Sequence, residues 1–205
     1  MNPNIREEQP QTADQLLRAL KKGPAAALPE WDELPSIPLY MDQIVLLINT
    51  YLNPGDTLSK EKIVTPAMIN NYIKQKIMPP TVKKHYFRHH LACLIIICIL
   101  KESVNIPDIA TLLPGPMTES SMKDIYTHFL AVYRRTGEEN SRFICTFFDD
   151  ADTADQSSLD RVALQLALSS TFTLGAAKQI LALSKAKTEK SNPARSADDP
   201  EAAHE

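Results

Sequence analysis

The side chains with the clearest chemical use are Asn70, Asn71, Lys74 and Gln75. Carboxamides pair with adenine edges, and an ammonium group meets phosphate or guanine. A helix begun at Thr65 would bury Met68, Ile69, Tyr72 and Ile73 at 3–4 spacing and turn these four polar residues outward together. Thr65-Pro66 reads as an N-cap with proline at the first helical position. Pro79-Pro80 forbids the helix from running much past Lys76. Lys83, Lys84, His85 and Arg88 follow at once. A short capped helix with a polar face, then a basic turn, is the pattern of a helix–turn–helix reader with a wing that grips the DNA backbone. The expected contacts to double-stranded DNA are therefore Thr65 and the four outward residues on the helix. Lys76, Lys83, Lys84, His85 and Arg88 are expected to bind phosphates. Tyr72 is expected to be buried packing, with its hydroxyl near the backbone.

Charge supports the same stretch. The 205 residues hold 22 Lys+Arg and 25 Asp+Glu, a net charge of −3. Between residues 60 and 101 there are eight basic residues and one acid, Glu61, a surplus of seven. The remainder carries 14 basic and 24 acidic residues, a deficit of ten. A basic segment in an acidic chain suits a polyanion-binding face. A plain solvated Lys-rich surface would produce the same count.

Other chemistries fit poorly. His85, His89 and Cys93 fall at i, i+4 and i+8, the spacing of a metal-binding helix face. Cys93 and Cys98 lie inside an apolar run, however, and read better as small core residues. His89 and His90 stand near the basic end, within reach of phosphate. Cys145, between Ile144 and Phe147, reads as core. There is no Gly-rich phosphate loop, no Gly-x-Ser-x-Gly and no His-Glu-x-x-His, and only five glycines in all. Asp149, Asp150, Asp152 and Asp155 read as a solvated acidic linker. No enzyme activity, cofactor or metal is expected.

The elements that position these residues are helical. A helix is expected over Ala13–Lys22, capped by Thr12. The proline-rich stretch 24–38 should be extended, with Trp31 and Leu34 pinning it to the body. A helix over Leu39–Leu52 ends at the turn Asn53-Pro54-Gly55-Asp56. Phe87–Lys101 is apolar nearly all round and belongs at the centre of a core. Residues 81–86 form a small hairpin or loop. Asn105 caps Ile106–Leu113, and Pro114-Gly115-Pro116 marks a boundary. Thr118 or Ser120 starts a helix through about Arg135, closed by Gly137, and Ser141–Phe148 is short and apolar. Ser157 or Ser158 starts Leu159–Leu168, and Thr171 or Thr173 starts a last helix ending near Lys185.

The fold class is all-α. The division is 1–30 tail with a short helix, 31–115 helix–turn–helix domain, 116–186 C-terminal helical region for dimerisation or an effector, and 187–205 disordered tail. The longest uninterrupted apolar run, Leu91–Leu100, has ten residues, whereas a spanning helix needs about 20. No membrane contact is expected. Residues 1–8 carry no apolar stretch of a signal peptide. With 3 Cys, a reducing cytoplasm is the expected home.

The stretch Val64 to Pro80 resembles the recognition helix and following turn of MerR-type transcriptional regulators, in which Val-Ser-Pro precedes a Leu-Arg-Tyr-Tyr core and Gly-Leu-Leu-Pro-Pro. Tyr86 with the helix from Phe87 resembles the segment after the wing, and Lys101–Leu113 the next short helix. Here Asn70-Asn71 replace the Arg-Tyr pair, Lys76 replaces the Gly, and only Thr81–His85 remain for the wing. Residues 53–62 are an insertion between the first two helices. The chain is also similar to a small bacterial family of this type without an assigned function. The shared residues are Leu39–Gln43, Met68–Tyr72, Pro79-Pro80-x-x-Lys83-Lys84 and the step from Tyr86 into the apolar helix. The resemblance implies a winged helix–turn–helix with a truncated wing, acting as a homodimeric transcriptional regulator whose effector is unknown. The alternative is a non-enzymatic protein-interaction module that keeps the fold without the DNA.

Overall fold

Ten residues without a polar interruption make a helix with no solvent face, and the rest of the molecule is arranged around it. The computed structural model describes residues 28–52, 63–113, 117–148 and 155–191. The expected helix Ala13–Lys22, the turn at Asn53–Asp56 and the acids Asp149, Asp150 and Asp152 lie outside these residues. Among the described residues there are six α-helices and no named strand. They are α1 (Met41–Leu52), α2 (Pro66–Lys74), α3 (Arg88–Leu100), α4 (Ile106–Leu112), α5 (Glu119–Thr146) and α6 (Gln156–Ser191). The architecture is predominantly helical, in agreement with the all-α expectation.

Helix α3 is buried from His90 to Cys98. It packs against α1, α4 and α5. Ile44 and Ile48 of α1, Ile109 of α4, and Met122, Tyr126 and Leu130 of α5 join it in one core. A fully buried aliphatic side chain contributes about 2 kcal/mol. That outweighs the few tenths by which isoleucine disfavours a helix, so Ile95-Ile96-Ile97 stays helical.

Helix starts are set by short side chains. Thr65 Oγ1 accepts from Met68 N at 3.3 Å. Asn105 Oδ1 accepts from Asp108 N at 2.9 Å, and Thr118 Oγ1 from Ser121 N at 3.3 Å.

The segment before α1 is a strap across the body. Trp31 and Leu34 are buried, as expected. The strap is not simply extended, because Trp31–Glu33 forms a 3-10 turn. Its acids are tied down: Glu30 pairs with Arg134 and Asp32 with Arg88. Tyr126 donates its hydroxyl to Pro29 O at 2.9 Å.

The C-terminal boundaries differ from expectation. Helix α5 runs through Gly137 to Thr146 without a stop. Interior glycine costs about 1 kcal/mol relative to alanine, but Tyr133 before it and Ser141 after it both pack on the body, so the helix continues. The two expected final helices are one, α6, extending beyond Lys185 to Ser191. Thr171 and Thr173 do not start a helix. Their hydroxyls donate to the carbonyls of Ala167 and Ser169, four residues back, at 2.9 and 2.8 Å. The N-terminus of α6 is capped instead by Asp155, whose carboxylate accepts from Ser158 N at 3.0 Å. This hydrogen bonding, the Ser157 hydroxyl first, holds the Asp155 carboxyl below its ordinary range. Because it is one helix, α6 contains an 18-residue stretch of mean hydropathy 1.3, apolar enough by length and composition alone to cross a membrane. Counting only uninterrupted apolar residues missed this, since Ser, Thr and Gln interrupt the run without adding charge.

Candidate nucleic-acid interface

Helix α2 presents the expected surface. Ile69 and Tyr72 are buried, while Asn70, Asn71, Lys74 and Gln75 are exposed. Burial raises the Tyr72 hydroxyl above its ordinary pKa, in keeping with a packing residue. Gln75 donates a long hydrogen bond to Asn71 Oδ1 at 3.4 Å, so these two carboxamides sit side by side.

The helix ends with a left-handed residue. Ile77 N donates to Tyr72 O and Lys76 N to Ile73 O, each at 3.0 Å. That pairing is a Schellman ending, in which the residue after the cap needs positive φ and is usually glycine. Here it is Lys76, at φ 58°.

Val82 and His85 then form an antiparallel bridge, and His85 N donates to Val82 O at 2.9 Å. The two residues between them, Lys83 and Lys84, have φ 51° and 63°. Two successive positive φ values closing a two-residue hairpin define a type I′ turn, which favours Asn-Gly. Residues 81–86 are therefore a hairpin, with a lysine pair at its tip. Among the described residues, the non-glycine positions with positive φ are Lys76, Lys83 and Lys84. Each costs roughly 1–2 kcal/mol relative to a right-handed residue. None of the ion pairs among the described residues involves these three or Lys74. Among the described residues, four ammonium groups thus stand without an acidic partner around the hairpin and the end of α2.

The hairpin is held from beneath. Leu39 and Tyr86 exchange backbone hydrogen bonds at 2.7 and 2.8 Å. The Tyr40 and His85 rings are in contact, 4.8 Å between centroids. His90 spans the junction: Phe87 N donates to its Nδ1 at 3.0 Å, and its Nε2 lies 3.2 Å from Pro80 O. Since Nδ1 accepts, the proton must sit on Nε2 and be donated to the proline carbonyl. Burial, then the neighbouring His89, pushes the His90 pKa down to about 4.

The structure does not bring every expected residue to this face. Arg88 donates from Nε to Leu34 O at 3.0 Å, pairs with Asp32 at 3.5 Å and lies over the Trp31 ring. It is a strap fastener rather than a phosphate ligand. His90 is fully buried, which removes it from phosphate, while His89 is half-buried with its Nδ1 shielded and without a partner. His85 is half-buried by Tyr40. Cys93 and Cys98 are core residues whose thiols burial pushes up to about 12 and about 11, whereas Cys145 is only half-buried. The clamp of His90 on Pro80 was not anticipated. A histidine at the third position of an apolar helix, three residues after its cap, is the signal that could have found it.

A family model described as "Domain of unknown function (DUF1836)" matches residues 29–135, from the strap to the middle of α5. No curated protein and no solved structure matches the chain.

Proposed function

The chain belongs to the DUF1836 family, and from that premise we propose that it is a cytoplasmic, non-enzymatic DNA-binding transcriptional regulator with a MerR-like winged helix–turn–helix. Helix α2 enters the major groove, with Asn70, Asn71, Lys74 and Gln75 towards the bases and Thr65 at its leading end. Lys76, Lys83, Lys84 and His85 lie along the phosphates, and the lysine hairpin is the shortened wing. The active form is a homodimer joined through α6.

The observation that carries this reading is the backbone of Lys76, Lys83 and Lys84. Strained conformations that glycine or asparagine would relieve are occupied by cations with no acidic partner among the described residues. Such strain is characteristic of functional sites, where the side chain rather than the fold explains the residue. The polar face of α2 lies next to them in sequence and ends at the first of the three.

One observation favours a second reading, a protein-interaction module without DNA. Ile37, Tyr40 and Val82 are all more than half exposed, which puts apolar surface beside the wing.

Anisotropy titrations with mixed duplex fragments separate the two. Wild type should bind at low salt and weaken as salt rises. Lys83→Glu with Lys84→Glu should weaken binding at least tenfold and flatten the log–log salt slope by about 2. A wild-type protein that binds no duplex at low salt ends the proposal and leaves the interaction reading.

A further inference from the structure

Where α3, α4 and α5 meet there is a half-open cavity of about 490 Å³. Its floor is Ile96 and Leu113, both nearly inaccessible to solvent, and Ile99, Ile125 and Val132 form its walls. His128, Thr136 and Asn140 stand along one edge, all on α5 and all exposed.

Three features say what it would hold. The volume lies within the range of about 300–1,000 Å³ typical of small-molecule sites, and the cavity reaches the core instead of skimming the surface. Among the described residues the lining has no Asp, Glu, Lys or Arg, so a charged ligand would lose hydration without gaining a permanent counter-charge. The hydrogen-bonding side chains of the lining, His128, Tyr133, Thr136 and Asn140, all belong to α5, which suits a molecule with one polar end. The chain's last helix does not occupy this space. Helix α6 packs on α4, and its Leu166 and Leu174 frame a neighbouring groove with Phe143 and Ile144, which meets the cavity only at Asn140.

We propose that this cavity is a binding site for a neutral, mainly apolar small molecule carrying one or two hydrogen-bonding groups. The site stands independently of the DNA reading.

The test uses the full chain and N-phenyl-1-naphthylamine, a neutral apolar fluorophore that brightens when it leaves water. The dye should bind one per chain, and its relative bearing a sulfonate, 1-anilinonaphthalene-8-sulfonate, should bind at least fivefold more weakly. Val132→Trp, which fills the cavity, and Thr136→Trp, at an exposed position on its edge, should each weaken the neutral dye at least tenfold. Thr136→Trp carries the test if Val132→Trp does not fold. Leu168→Glu with Phe172→Glu, on the exposed side of α6, should leave binding within twofold of wild type. Methyl NMR shifts should fall on Ile96, Ile99 and Ile125. No binding by wild type, equal binding of the sulfonate, binding retained in Thr136→Trp, or binding lost in the α6 double variant would each overturn the proposal.

Discussion

Lys83 and Lys84 hold backbone conformations that asparagine and glycine adopt at little cost. The strain and the charge can therefore be separated by one double substitution. Lys83→Asn with Lys84→Gly should raise the unfolding free energy by about 1–2 kcal/mol in denaturant titrations while weakening duplex binding through loss of two phosphate contacts. If stability falls instead, the strain has been misjudged. At this scale the residue types were legible in the sequence, and so was their outward placement on α2, because helical periodicity is a local property. The φ values were not. They follow from closing the hairpin between the Leu39–Tyr86 bridge and the bulk of Pro79-Pro80, constraints that depend on Leu39 and on the prolines, outside residues 81–86.

At the scale of elements, α3 was legible because an unbroken apolar run leaves no alternative to burial. The C-terminal boundaries were not, because Ser, Thr and Gly signal both helix ends and tolerated interior positions. Thr171 and Thr173 show the ambiguity: the same hydroxyl that could cap a helix instead bonds back to the preceding turn. The contact between hairpin and α3 yields a pH prediction. His90 has a folded pKa of about 4 against an ordinary 6.5. Between those values the unfolded chain takes a proton that the folded chain refuses. Stability is therefore complete above pH 6.5 and declines as pH falls toward 4, by up to about 3 kcal/mol from this group. His90→Gln should lower stability at neutral pH but flatten this window in denaturant midpoints measured along it. A variant with the wild-type slope would show that His90 is not the group responsible.

At the scale of the molecule, the basic hairpin belongs to the family-matched body and α6 lies beyond it. One side of α6 buries Val162 and Leu181. Elsewhere it exposes Leu164, Leu168, Phe172, Ile180 and Leu183, each at least 48% accessible. This exposed apolar stripe is the surface proposed for dimerisation, and a second copy would bury it symmetrically. Light scattering should find a dimer, and Leu168→Glu with Phe172→Glu should give a monomer with unchanged helix content. A monomeric wild type would remove α6 from the proposed interface.

The sequence by itself determined that the chain is helical, that residues 87–101 form a central helix, and that a polar helix face adjoins a lysine pair. These follow from composition and short-range periodicity, which need only neighbours along the chain. Only the tertiary structure decided that Arg88 fastens the strap through Leu34, 54 residues away. The same holds for His90, buried and neutral beneath Pro80, and for the three lysines in left-handed backbone. Each depends on what the folded chain places against the residue, and a charge or a φ angle is set by those surroundings more than by the residue type.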